Sequence, residues 1–249
     1  MHQRNFIYLL NQLEKTGFGR GLESALKGAM QASTPGFELA CQYQYGKHRN
    51  RIDVCLYFRR SVEGDYSFTR YHVILSDDYD RPLRKQTFYV DRPNTVTAKE
   101  AFNLLEGRPV YKAIYIKGEL VDHQWLQLDF NQQEPGGNYA FKAWSKELQF
   151  DLESVLQKLG SWELGHAKPR EFLLQSLKKG NLTDATFIED GLEVKRWLHV
   201  KPWAGVIEPG DIVGSSHQLV MNLPPVQESK PAKKRKKKPL SNPLKNTNA

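Results

Sequence analysis

At residue 36 the spacing of apolar residues changes from that of a helix to that of a strand. Before it, Phe6, Leu9, Leu10 and Leu13 recur at helical intervals, and Gly17 and Gly19 follow as stops. Leu22, Ala25, Leu26 and Met30 define a second helical face, which Ser33, Thr34, Pro35 and Gly36 close. After it, Phe37, Leu39, Cys41, Tyr43 and Tyr45 alternate with Glu38, Ala40, Gln42 and Gln44. Ile52, Val54, Leu56 and Phe58 then alternate with Arg51, Asp53, Cys55, Tyr57 and Arg59. Two period-two runs joined by GKHRN form a hairpin with one buried face, because successive strand side chains point to opposite sides. Further strands are expected over Tyr66–Ser76 and Lys85–Asp91, joined by the turn segment SDDYDRP. Residues 1–95 thus read as two helices on an antiparallel sheet.

A second module is expected over residues 96–213. Thr97 and Glu100 have the spacing of a capping box ahead of Ala101, Phe102, Leu104 and Leu105, and Gly107 ends that helix. Strands are expected at Val110–Lys117, Gln124–Phe130 and Asn138–Trp144, the last two flanking NQQEPGG. Helices follow at about Asp151–Leu159 and Pro169–Lys179. A closing hairpin, Thr186–Glu189 with Leu192–His199, turns at Asp190-Gly191. The fold class is therefore α+β: two modules of short helices packed on antiparallel sheets, with a disordered basic C-terminal tail over residues 214–249.

The charge is concentrated in that tail. From Asn222 onward there are eight Lys or Arg and one Glu, which accounts for +7 of the formal +8. Residues 1–95 are mildly basic and residues 96–221 mildly acidic. No apolar run approaches the roughly 18 residues of a membrane span, and the N-terminus lacks a secretory pattern. Two cysteines exclude a disulfide scaffold, and the hairpin parity puts Cys41 and Cys55 on opposite faces, where they cannot pair. A cytoplasmic location is the expectation.

Several segments carry a family resemblance. TGFGRGLESALKGAM, QTFYVDRPNTVTAKEAFNLLEGRPVYK, WLQLDFNQQEPGGNYAFKAW, FDLESVLQKL, LLQSLKKGN and TFIEDGLEVKRWLHV together resemble an uncharacterised bacterial family of unknown function. Its genes are typical of conjugative and other mobile elements of Bacteroidetes-type bacteria. The resemblance spans roughly residues 1–210 and implies a bacterial, mobile-element setting. It implies no activity and no catalytic residues.

Two groups of residues are candidates for contact with nucleic acid. Lys230, Lys233, Lys234, Arg235, Lys236, Lys237 and Lys238 form a cationic run that gains by releasing phosphate counterions, with little sequence preference. Its plainer role is a solubilising tail attracted to any polyanion. The second group is the outward face of the first sheet. There Arg51, Tyr57, Arg59 and Arg70, with Phe68 and His72, combine the cations and rings that hold phosphates and stack bases. Its plainer role is an ordinary solvated face.

Other patterns are weaker. Gly17-Phe18-Gly19-Arg20-Gly21 follows a helix and lacks a Gly-Lys-Ser/Thr ending, so it reads as a tight helix–helix connection rather than a phosphate loop. The seven histidines show no metal-ligand spacing, and no G-x-S-x-G elbow occurs. Trp125, Trp144, Trp162, Trp197 and Trp203 fall in the second module, as core packing or as a docking surface. The leading expectation is a non-enzymatic, nucleic-acid-associated accessory protein with no cofactor. The alternative is a protein-interaction adaptor that uses the acidic, Trp-containing second module. An enzyme with scattered acids is a third reading.

Overall fold

The computed structural model describes residues 3–45, 50–77, 79–90, 94–144, 150–211 and 218–219. Helices α1 (Gln3–Lys15) and α2 (Glu23–Gln31) precede strands β1 (Gly36–Gln44), β2 (Arg51–Arg60), β3 (Tyr66–Ser76) and β4 (Pro82–Tyr89). These strands form an antiparallel meander in the order β1-β2-β3-β4. Helix α3 (Ala98–Leu105) leads into β5 (Val110–Ile116), β6 (Glu119–Gln133) and β7 (Tyr139–Trp144), a three-stranded sheet. Helices α4 (Leu152–Leu159) and α5 (Ala167–Lys178) follow. The third sheet contains β8 (Thr183–Glu189), β9 (Leu192–Lys201), β10 (Val206–Asp211) and the short β11 (Gln218–Leu219). All the pairings are antiparallel, and the fold is α+β.

The first sheet follows its hydrophobic alternation. Leu39, Ile52, Val54, Leu56, Val73 and Leu75 are buried under α1, α2 and α3 with Leu9, Leu13 and Leu26. Full burial of such a side chain contributes about 1.5–3 kcal/mol. Phe18 enters this core from the connection between the first two helices, where Gly17 and Gly19 take positive φ. Tyr43 Oη donates to the Phe18 carbonyl at 2.8 Å and holds the connection down.

One expectation for this sheet is overturned. Phe68 is not outward; it is 3% exposed, in the core beside Phe58. A β-bulge causes this. Tyr57 pairs with Arg70 but Phe58 pairs with Phe68, so Thr69 is an extra residue on β3. An extra residue reverses the side-chain parity on its far side. Tyr66 and Phe68 therefore point inward with Tyr71, Val73 and Leu75.

The strands of the second half divide between two sheets. Strand β6 starts at Glu119 rather than Gln124, because Lys117 (φ 51°) and Gly118 (φ 87°) make a two-residue hairpin turn. Asp190 (φ 51°) and Gly191 (φ 79°) turn the expected closing hairpin in the same way. Strand β10 was unexpected because it contains Pro209 and Gly210, residues that argue against a strand interior.

Two apolar clusters result. One includes the first sheet together with α3, Val110 and Leu128, so it continues past residue 96. The other joins Trp125, α4, α5 and the third sheet. One polar junction connects them, and a second ties the first sheet to β7, whose Tyr139 packs against the first cluster. Asn103, fully buried, donates to the Lys179 carbonyl at 2.6 Å and accepts from Arg108, whose Nε donates to the Gly180 carbonyl at 2.9 Å. At the other junction, Gln86 (2% exposed) accepts from the Tyr139 N–H at 2.8 Å and donates to its carbonyl at 3.1 Å. The same device recurs twice. Asn5 bonds both backbone groups of Tyr66, and Asn94 both backbone groups of Tyr115. Each side-chain amide thus acts as one rung of a strand.

Candidate nucleic-acid interface

The alternation that buries one face of the first sheet leaves the other outward. Strand pairing sets Tyr57 of β2 opposite Arg70 of β3, and Arg70 opposite Tyr89 of β4. Adjacent strands lie about 4.8 Å apart, so the three side chains form a row about 10 Å across. The Arg70 guanidinium carbon sits 4.7 Å from the Tyr57 ring centroid. Among the described residues no carboxylate is within ion-pair distance of Arg70. Tyr89 is 65% exposed. The row therefore presents two aromatic rings and one uncompensated cation to solvent.

Glu38 of β1 pairs opposite Tyr57 and puts a carboxylate at one end of the row, while the row next along the strands is neutral. There Cys55 pairs with His72, and His72 pairs with Thr87. His72 Nδ1 lies 3.0 Å from the Thr87 hydroxyl. Burial, reinforced by Lys85, lowers the His72 pKa, so the imidazole is neutral at pH 7. The Cys55 hydrogen bond raises the Tyr57 phenol, which stays protonated. Burial raises the Cys55 thiol, which donates to Glu38 at 3.3 Å. A shallow depression of about 390 Å³, lined by Gln42, Asp53, Cys55, His72 and Ile74, adjoins the row. Both cysteines are free, on opposite faces of the hairpin as expected.

The structure separates the candidate residues. Tyr57 and Arg70 are brought together, and Arg59, exposed, lies two residues from Tyr57 on the same face of β2. Arg51 lies six residues from Tyr57, about 20 Å along the strand. It is also compensated by Asp53, at 3.5 Å, and by Asp80. It does not belong to the row. Tyr89 does, and the sequence reading missed it. Its signal was available: Lys85, Thr87 and Tyr89 alternate with the inward Gln86 and Phe88. Lys230, Lys233, Lys234, Arg235, Lys236, Lys237 and Lys238 lie outside the described residues.

No family model, curated protein or solved structure matches the chain. Among the described residues no group of three His, Cys, Asp or Glu could hold a metal ion, and no helix is long and apolar enough to cross a membrane. Trp125 is 4% exposed and belongs to the core. Trp144 packs on Trp203 at 5.4 Å, and Trp162 stacks on His166 at 3.9 Å. Trp162 and Trp203 keep nearly half their surface exposed.

Proposed function

We propose that this chain is a non-enzymatic accessory protein that binds nucleic acid, in the cytoplasm of a bacterium carrying a mobile element. The observation that carries this reading is the Tyr57–Arg70–Tyr89 row on an outward sheet face, in a chain whose sequence also contains six consecutive cations at 233–238. The two parts do different work. The cationic run supplies affinity for any phosphate backbone through counterion release. The row supplies stacking, which requires unpaired bases and so favours single strands over duplex.

Fluorescence anisotropy on single- and double-stranded DNA and RNA, from about 50 to 200 mM salt, separates the two contributions. Replacing residues 233–238 by Gln should flatten the salt dependence by a slope of about four to five on a log–log plot. Replacing Tyr57 and Tyr89 together by Ala should weaken single-strand binding by about tenfold or more and leave that slope unchanged. If these two substitutions leave single-strand affinity intact, the sheet-face assignment is wrong. If no probe binds at all, the adaptor reading replaces it, with the exposed Trp162 and Trp203 as its starting point.

A further inference from the structure

A cleft of about 300 Å³ opens between α3 and the side formed by α5, β8 and β9. Tyr45 and Lys99 line one wall, and Phe172 and Trp197 line the other. Tyr45 continues the inward set of β1, so the cleft does not share the face of the Tyr57–Arg70–Tyr89 row.

Its central charge is Lys99. The ammonium lies 4.3 Å from the Tyr45 ring centroid and 4.8 Å from that of Phe102. Among the described residues it has no ion-pair partner. Arg108 shares the Phe102 ring, 5.3 Å from its centroid, and repels Lys99. Glu106 opposes that repulsion from beyond 4 Å, and Asp184 of β8 also lines the cleft. Burial first, then Arg108, brings the Lys99 pKa down to about 8. A half-buried ammonium held next to a second cation is a site that an anion would relieve.

Arg108 has little left to give an incoming ligand. Its Nε and Nη2 are committed to Gly180 and Asn103. Asn103, Asn181, Ser176 and Thr183 bond one another or the backbone. Among the described residues, the features of the cleft left without a partner are therefore the Lys99 cation, the exposed Asp184 carboxylate at its β8 side, and apolar ring surface. Phe172 is 70% exposed at its edge, a large apolar surface left to water. A volume of this size is at the small end of ligand sites, enough for one ring and its substituent.

We propose that this cleft binds a small planar anion, an aromatic ring bearing a phosphate or a carboxylate, with Lys99 holding the anionic group and Phe172 and Trp197 the ring. This site is independent of nucleic-acid binding by the sheet face.

Isothermal titration of the full-length protein with phenyl phosphate, benzoate and inorganic phosphate tests it. At least one of the two aromatic probes should bind about tenfold or more tightly than inorganic phosphate, and which one does so identifies the anionic group. Lys99→Met should weaken that binding about tenfold or more, and Lys99→Arg should retain it. Binding to the wild type should weaken from pH 7 to pH 9.5 as Lys99 loses its proton, whereas Lys99→Arg should stay flat. Phe172→Ala should weaken binding without changing the pH profile. Equal affinity for inorganic phosphate, no binding of either aromatic probe at millimolar concentration, or wild-type affinity in folded Lys99→Met would each overturn the assignment. Should Lys99→Met not fold, a pH profile of the wild type no steeper than that of Lys99→Arg overturns it equally.

Discussion

A β-carbon on Gly180 would lie 2.6 Å from the Pro109 carbonyl oxygen and 3.1 Å from Val110 Cγ1, and the residue's φ is +77°. Two penalties coincide there. The left-handed backbone strains any L side chain, and the added carbon also meets backbone that cannot swing aside. Gly191 has a similar φ of +79° but nothing within 4 Å of its would-be β-carbon. Gly180→Ala should therefore cost about 3 kcal/mol or more in urea denaturation, and Gly191→Ala only about 1 kcal/mol. Equal losses would mean that backbone strain alone matters and that the close approach at Pro109 is absorbed. Sequence shows Gly180 only as a helix stop. The carbonyl it must clear belongs to a residue seventy-one positions earlier, and no local pattern reports such an approach.

Among the elements, α3 shows how much a short motif can reveal. The Thr97–Glu100 box forms as its spacing implies: the Thr97 N–H donates to Glu100 Oε2 at 2.8 Å, and the Glu100 N–H donates to Thr97 Oγ1. What the spacing does not reveal is Lys112 of β5, which reaches the same carboxylate at 3.0 Å with both side chains largely buried. Glu100 is therefore both a cap and half of a buried ion pair. Thr97→Ala should cost about 1 kcal/mol of folding stability. Glu100→Ala should cost about 3–5 kcal/mol, because it strands a buried ammonium. Chemical denaturation of the two variants checks the ratio, and comparable losses would reduce Glu100 to a cap. Strand β3 is the opposite case. Its ends match the sequence reading, but its bulge at Thr69 does not show in the alternation, since Tyr66, Phe68 and Tyr71 are aromatic on either parity. The Thr69 hydroxyl donates to the Tyr57 carbonyl at 3.1 Å and its own carbonyl accepts from Val90, so the extra residue is tied to both neighbouring strands. Deleting Thr69 should turn Tyr66 and Phe68 into solvent and abolish cooperative unfolding by circular dichroism. A stable deletion variant would show that the sheet can reset its register.

For the molecule as a whole, the two apolar clusters meet through the polar contacts Asn103–Lys179 and Arg108–Gly180, while Gln86–Tyr139 ties the first sheet to the second. All five tryptophans lie between residues 125 and 203, so fluorescence reports the second half while far-ultraviolet dichroism reports both. Gln86→Ala leaves two backbone groups of Tyr139 without partners, at a cost of about 2 kcal/mol. It should also separate the fluorescence and dichroism midpoints, which coincide in a two-state unit. Coincident midpoints in the variant would assign the coupling to the Asn103 junction instead. This scale is where sequence is least informative. Periodicity located most strands and helices, because each reflects local alternation. The division of the later strands into two sheets, and the amides that join the halves, depend on contacts between residues more than fifty positions apart. The candidate interface was half legible for the same reason: parity marked Tyr57, Arg59 and Arg70 as outward, but only pairing across β3 and β4 adds Tyr89 and leaves Arg51 aside.

The three amide rungs, Asn5, Gln86 and Asn94, each need one atom that gives a proton and one that takes it. Hydrolysis of the amide, the ordinary chemical ageing of Asn and Gln, changes only the giving atom. It puts a carboxylate oxygen against the carbonyl of Tyr66, Tyr139 or Tyr115 and turns a rung into a repulsion. The shelf life of the folded chain is thus tied to three nitrogen atoms that no charge count or hydrophobic pattern would single out.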